Sequence, residues 1–266
     1  MTAEQLVREG RLREALEELQ QQVRKEPAAA KHRVFLFQLL SVLGQWERAM
    51  TQLNVAADLD AGTMLMAHMG RAALNGEALR AEIFAGRRTP MVFGEPAEWV
   101  TWMIEANRLT AQGQTQAADS LRARALEAAP AIPGRIDDHP FEWVADADAR
   151  MGPILEMMIN GQYFWVPLQQ IRELRIEAPA DLRDVVWLPV SCTWINGGSA
   201  VGLVPSRYPG SESSSDPAIQ MARKTDWVDN GHGATLGLGQ RMLATDQGEY
   251  ALLETRNLVL EQPAPP

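Results

Sequence analysis

The spacing of apolar residues changes character near residue 143. Before that point they recur at helical intervals, and after it they alternate in short runs broken by Gly and Pro. The first part also repeats itself. Gly10-Arg-Leu-Arg-Glu-Ala15-Leu-Glu-Glu-Leu19 aligns with Gly44-Gln-Trp-Glu-Arg-Ala49-Met-Thr-Gln-Leu53, an offset of 44 − 10 = 34 residues, the tetratricopeptide period. Gly76 with Ala81 and Gly113 with Ala118 form two weaker copies. Pro27 and Pro130 each fall seventeen residues after their Gly (27 − 10 and 130 − 113), where a second repeat helix would end. The pattern predicts helix pairs, in which Gly permits the turn and the small Ala permits a close crossing. A stack of such pairs shares one core. A helix over about Ala30 to Leu43, apolar on most sides, belongs inside the stack, and another runs from Trp99 to Leu109. The helical region ends at Ala129-Pro130-Ala-Ile-Pro133-Gly134.

Residues 143 to 167 are predicted to be the junction. Pro153 suits a first helical position, and Ile154, Leu155, Met158 and Ile159 share one face of a predicted helix. Asn160-Gly161 supplies its left-handed stop. Tyr163 to Val166 is a strand ended by Pro167, and Trp143, Tyr163, Phe164 and Trp165 are available to pack an interface. Leu168, Ile171 and Leu174 suggest a short helix. Val186, Leu188, Val190, Cys192 and Trp194 alternate as a strand with one buried face. Asn196-Gly197-Gly198 turns into a partner strand at Ala200 to Val204. Residues 205 to 215 form a loop, expected to be mobile at its Ser-rich end. Asp216-Pro217 caps a short helix reaching about Lys224. A hairpin spans Leu236 to Leu253 with its turn at Asp246-Gln-Gly248, Leu258 to Leu260 adds a last strand, and the PAPP tail is expected to be disordered. The fold class is therefore α+β. It comprises a degenerate tetratricopeptide-like helical repeat domain over 1–134, an acidic connection over 135–148 and a strand-rich α+β domain over 149–262.

Composition narrows the function. Hydrophobic residues make up 46% and charged residues 22% of 266 positions, enough for a full core. A net charge of −9 disfavours a nucleic-acid partner, because phosphate contacts need clustered Lys and Arg. No run approaches the ~18 apolar residues of a membrane span, and the N-terminus is charged from residue 4. No membrane association and a cytoplasmic location are expected. Cys192 is the only cysteine, which leaves no internal disulfide.

No catalytic or cofactor motif stands out. A P-loop is absent, and both Gly231-His-Gly233 and Gly237-Leu-Gly239 lack the third Gly of a dinucleotide loop. Asp146-x-Asp148 hints at a calcium loop, yet Arg150 and Met151 occupy positions that need an oxygen ligand and a turn Gly. His32, His68, His139 and His232 show no ligand spacing, Cys192 sits on an apolar strand face, and Ser199 and Ser211 lack the nucleophile elbow. His139 among carboxylates reads as a solvated linker histidine. No cofactor and no metal are expected. Polar residues of the second half remain as candidates: Asp146, Asp148, Arg150, Arg183, Asp184, Arg207, Tyr208, Thr225, Asp226, Trp227, Gln240 and Arg241. They either pair with one another to hold loops or line a pocket.

These residues also carry a family resemblance. LFQLLSVLGQWERAMTQL (36–53), ALRAEIFAGRRTPMVFGEPAEW (78–99), DADARMGPILEMMINGQYFWVP (146–167), LRDVVW (182–187), VPSRYPGS (204–211), RKTDW (223–227) and GLGQRMLATDQGEYALLETR (237–256) are similar to the ImpE/TagJ family of bacterial type VI secretion accessory proteins. Met151 and Met221-Ala222 depart from that pattern. The resemblance implies a helical first domain, an α+β second domain and no catalysis. It implies two partners, the N-terminal helix of the small contractile-sheath subunit and the AAA+ unfoldase that recycles the sheath. A repeat stack makes a groove along its first helices. The predicted groove line is Lys31, Val34, Gln38 and Ser41 in one repeat and Val100, Met103, Asn107 and Thr110 in the last. The rival reading is a small-ligand binder or hydrolase-like enzyme built on the Arg and Asp residues of the second half.

Overall fold

The computed structural model describes residues 1–229 and 235–261. The Gly231-His-Gly233 motif, His232 and the PAPP tail lie outside them. Seven helices come first: α1 (Ala3–Arg8), α2 (Leu12–Lys25), α3 (Ala30–Val42), α4 (Trp46–Leu59), α5 (Met64–Phe84), α6 (Glu98–Ala111) and α7 (Thr115–Ala128). Three tight turns at Gly10, Gly44 and Gly113 (φ 77°, 66° and 74°) separate α1 from α2, α3 from α4 and α6 from α7. The left-handed backbone there is what Gly provides. Ala15, Ala49 and Ala118, five residues on, are fully buried.

The third repeat copy fails. Gly76 lies inside the 21-residue helix α5, and Ala81 is exposed. Gly76 instead permits contact with the sheet, for a Cβ there would come within 2.7 Å of the Met158 methyl. The turn after α5 uses Gly86, at φ 71°.

Among the described residues the strands, all but one of them from Gly134 onward, form a nine-stranded sheet and two small ones. The strands are β1 (Met91–Val92), β2 (Gly134–Ile136), β3 (His139–Phe141), β4 (Val144–Asp146), β5 (Ile154–Ile159), β6 (Gln162–Pro167), β7 (Ile171–Ile176), β8 (Trp187–Trp194), β9 (Ser199–Pro205), β10 (Thr225–Asp229), β11 (Thr235–Gly239), β12 (Met242–Thr245), β13 (Gly248–Ala251) and β14 (Asn257–Leu260). The large sheet runs β1-β6-β5-β9-β8-β7-β14-β2-β3, with β13-β12-β4 and β10-β11 beside it. The acidic stretch 135–148 is thus no linker, since it supplies most of β2 and all of β3 and β4.

The predicted helix over 154–159 is strand β5, buried at every position. Ile154 and Met158 join the helices in one core, while Leu155, Met157 and Ile159 join a second core on the sheet's other face. A strand covered on both faces loses alternation and reads as a continuous apolar run. Asn160-Gly161 is not a helix stop but a two-residue hairpin turn with both residues at positive φ (51° and 78°), the geometry this dipeptide favours. The helix suggested at 168–174 shrinks to one 3₁₀ turn, Leu168–Gln170, before β7.

Strand β8 has the expected buried face, and its partner β9 follows the Asn196-Gly197-Gly198 turn. The helix after Asp216 is short, α8 (Pro217–Gln220), with the Asp216 side chain accepting from the Ala218 N–H. The Ser-rich loop is pinned, because Ser211 is fully buried, donates to the Tyr208 carbonyl and accepts from the Gly239 N–H at 2.8 Å. Strands β12 and β13 form the predicted hairpin, whereas β11 pairs with β10. Of the four junction aromatics, Tyr163 and Trp165 pack into the helical core, Phe164 faces Phe93 on the opposite side, and Trp143 is 40% exposed.

Ala49 and Ala81 occupy equivalent sequence positions but opposite environments. Ala49→Leu should overpack the crossing of α3 and α4 and cost about 1–3 kcal/mol, whereas Ala81→Leu should stay within ~0.5 kcal/mol of wild type. Denaturant midpoints of the two variants check this.

Candidate functional site: a buried charge network and the cavities around it

Charged side chains converge where α5 crosses β5. Glu77 and Arg80 leave the helix on its buried side, and Glu156 is the single charge in the apolar run Ile154-Leu-Glu-Met-Met-Ile159. Arg80 grips Glu156 with two parallel bonds, Nε to Oε1 at 2.6 Å and Nη2 to Oε2 at 2.9 Å, and its Nη2 also donates to the Arg207 carbonyl at 2.7 Å. Arg241 bonds Glu156 Oε2 with one Nη and Asp146 with the other, and its Nε donates to the Pro205 carbonyl at 3.1 Å. The Tyr163 hydroxyl donates to Glu156 and accepts from Trp165 Nε1 at 3.0 Å. Trp187 Nε1 donates to Glu77 at 2.9 Å, and Tyr208 donates to Asp146 at 3.0 Å while accepting from the Met242 N–H at 2.9 Å.

Burial sets the electrostatics. It would raise the Glu156 pKa, but Arg80 and Arg241 outweigh it and hold the carboxyl down to about 2. Burial pushes Asp146 up to about 6 against the pull of Arg241. Arg207, fully wrapped, is brought down to about 10 by desolvation, and it donates to the carbonyls of Val42, Gln220 and Ser41. Burial alone drives the Cys192 thiol up to about 12.

The other candidate polar residues bond to groups of the same chain. Asp148 accepts from the N–H groups of Arg150 (2.8 Å) and Gly237 (2.7 Å) and pairs with the Arg150 guanidinium. Arg183 bridges Asp181 and Asp184 at 3.3 and 3.5 Å, and Thr225 donates to the Gln240 carbonyl at 2.7 Å. Asp226 pairs with Lys224, Trp227 tilts against the Tyr208 ring, and the Gln240 side chain accepts from the Leu253 N–H at 3.1 Å. Gly237 leaves room for the Tyr208 ring, since a Cβ would come within 2.2 Å of it. Patterning alone missed Glu77, Arg80, Glu156 and Tyr163. The lone Glu in an apolar strand was their one sequence signal.

The predicted groove is not an open line. Val100, Met103 and Asn107 are buried, Asn107 Nδ2 donates to the Arg150 carbonyl at 2.6 Å, and Thr110 accepts from Arg122 at 2.9 Å. The second half of the chain fills that side of α6. On α3, Gln38 and Ser41 are buried as well, leaving Lys31 exposed and Val34 half-buried.

Two of the surface cavities lie beside these residues and differ in character. One of about 270 Å³ is lined by Arg87, Arg88, Thr89 and Arg108, with Arg87 and Arg108 already paired to Glu82 and Glu105. The other, about 410 Å³, lies between the end of α7 and β4 and is mostly apolar. Among the described residues there is no group of three or more His, Cys, Asp or Glu placed to hold a metal ion.

Glu156 is depressed from 4.5, so its contribution is fully present above about pH 4.5 and is lost as pH falls towards 2. Asp146, raised from 3.8, has the opposite sign and favours the folded state as pH falls from about 6 to about 4. Glu156→Gln should cost about 3–5 kcal/mol at neutral pH by leaving Arg80 and Arg241 short of a charge. The gap to wild type in denaturant titrations should shrink as pH falls below 4.5.

Comparison with known proteins agrees with this geometry over nearly the whole chain. Residues 138–259 match the family model described as ImpE protein. The type VI secretion system accessory component TagJ of Pseudomonas aeruginosa is 50% identical over 261 residues, covering 98% of this chain and 92% of that protein. The crystal structure of protein VPA1032 from Vibrio parahaemolyticus superposes with a TM-score of 0.89 at 26% identity, covering 98% of both chains.

Proposed function

Because the chain belongs to the ImpE/TagJ family of type VI secretion accessory proteins, we propose that it is a non-enzymatic adaptor that holds the N-terminal helix of the small sheath subunit and associates with the AAA+ sheath-recycling unfoldase. The observation that carries this reading is the 50% identity to an accessory component across 98% of the chain. In this reading the helix pairs are degenerate tetratricopeptide-like repeats whose original groove on α6 the second half has occupied. The protein works in the cytoplasm, where the sheath is assembled and taken apart. Among the described residues no helix is long and apolar enough to cross a membrane, and a net charge of −9 favours basic protein segments over nucleic acid.

The rival reading needs Arg and Asp side chains converging without partners. Here Arg80, Arg150 and Arg241 are each saturated by carboxylates and carbonyls of the same chain. Their bonds go into the scaffold rather than towards a ligand.

The test is retention of purified sheath and unfoldase proteins from the same gene cluster on the immobilised full chain. The small sheath subunit should be retained, and deletion of its N-terminal helix should abolish retention. Retention unaffected by that deletion would refute the helix assignment. Two substitutions locate the surface. Met103→Glu places a charge in the shared core and should unfold the protein or destabilise it by several kcal/mol. Val34→Glu, on a half-buried helix face, should keep a native circular dichroism spectrum and reports whether α3 takes part.

A further inference from the structure

The stretch Val144-Ala-Asp-Ala-Asp-Ala149 alternates in burial as strictly as in sequence. Val144, Asp146 and Asp148 point inward, while Ala145, Ala147 and Ala149 are half-buried on the other side. Val144 joins the second apolar core, and Asp146 and Asp148 join the charged groups. The outward alanines floor the 410 Å³ cavity, with Ala244 beside them and Leu126 and Trp143 at its lip. Both lip residues are unusually open for their size, 42% and 40% exposed. A floor of alanines under an exposed Trp admits bulky side chains from outside and lets a partner backbone come close.

The form of the occupant follows from the backbone. Every N–H from Asp146 to Arg150 is already bonded within the chain: to the Gly152 carbonyl, the Met242 carbonyl, the Asp146 carboxylate, the Thr235 carbonyl and the Asp148 carboxylate. Over 146–150 an extended peptide finds no donors to add itself as a strand, which favours a partner held by side chains, as an amphipathic helix is. Its charge follows from the carboxylates next in sequence to the lip residues or bonded beside them. Glu127 adjoins Leu126, Glu142 adjoins Trp143, and Asp246 accepts from the Glu142 N–H at 2.8 Å. All three are exposed, and among the described residues none of them is ion-paired to Lys or Arg.

We propose that the cavity between the end of α7 and β4 is the docking site for the apolar face of a partner helix that carries Lys or Arg beside that face. The proposal rests on the adaptor reading and gives it a surface. Aromatic or aliphatic anchors enter over Ala145 and Ala147, Trp143 covers them, and Glu142 and Asp246 pair with the flanking cations.

The experiment titrates the full-length protein with two synthetic peptides, one of Leu and Lys at amphipathic helical spacing and one with Glu replacing Lys. The Lys peptide should bind saturably, more weakly as salt rises, and better than the Glu peptide. Ala147→Phe, which fills the cavity, and Trp143→Ala, which removes its lip, should each weaken binding about tenfold or more. The exposed pair Glu142→Lys with Asp246→Lys, which leaves the cavity unfilled, should do the same should Ala147→Phe misfold. Equal affinity of the wild type and the variants, no binding, or preference for the Glu peptide overturns the site. The sheath subunit's N-terminal peptide run in parallel separates the two ideas. Binding that ignores all three variants removes this surface and leaves the adaptor standing. Failure of that peptide alone, with the Lys peptide still bound at the cavity, removes the sheath helix and leaves the surface.

Discussion

Glu156 depends on two arginines, and much of the molecule depends on Glu156. A carboxylate without solvent costs several kcal/mol unless its charge and lone pairs are met. Here they are met from two directions. Arg80 comes from the helical half and Arg241 from the turn between β11 and β12, while Tyr163 donates from the adjacent strand. At the centre, three buried cations (Arg80, Arg207 and Arg241) face three buried anions (Glu77, Glu156 and Asp146), so the cluster is neutral as a set. Removing any one member strands the others in a low dielectric, which ties the register of α5 on β5 to the position of residue 241. Apolar residues of similar size would give comparable burial but would not specify that register.

The two halves of the chain are consequently one body rather than two domains on a linker. One core contains Phe37, Val100 and Met103 from helices together with Ile154, Trp165 and Trp187 from the sheet. The last described strand, β14, lies between β7 and β2, inside the large sheet and third from its β3 edge. β2 and β3 join the rest of that sheet only through β14, so the sheet is incomplete until residues 257–260 are in place. This topology places many contacts at long sequence separation, a feature of slower folding.

How much of this could be read from sequence depended on how many faces each element buries. Strand β8 was legible because Leu188, Val190, Cys192 and Trp194 face one core while Pro189, Ser191 and Thr193 are more open. The helix pairs around Gly10, Gly44 and Gly113 were legible because Gly marks a left-handed turn that few residues replace. Strand β5 was not, because burial on both faces erased the period of two. Gly76 misled for a related reason: glycine serves a turn and a close helix–strand contact equally well, and only the partner distinguishes them. Candidate site residues followed the same rule. Arg241 and Asp146 were visible as polar residues in apolar surroundings, but their common partner Glu156 lay inside a segment assigned to a helix. The predicted groove line on α6 is buried at Val100, Met103 and Asn107, with Arg150 of the second half bonded to Asn107 and Arg122 of α7 bonded to Thr110.

The segment from Val144 to Ala149 shows how an interior constraint can shape a surface. Asp146 and Asp148 are fixed inward by Arg241, Arg150 and the Gly237 N–H. Side chains alternate faces along strand β4 up to Asp146, and the bend and turn that follow bring Asp148 inward as well. The alanines beside them are half-buried on the other side. That they are alanines, under an exposed Trp143, leaves a recess where larger side chains would have closed one. Gly152 completes the recess at φ 53°, where a Cβ would meet the Leu126 side chain at 2.6 Å. The charge network thus does more than join two halves. By holding Asp146 and Asp148 inward, it turns the alanines beside them towards a mostly apolar recess of about 410 Å³, whose floor is thereby tied to the position of Arg241.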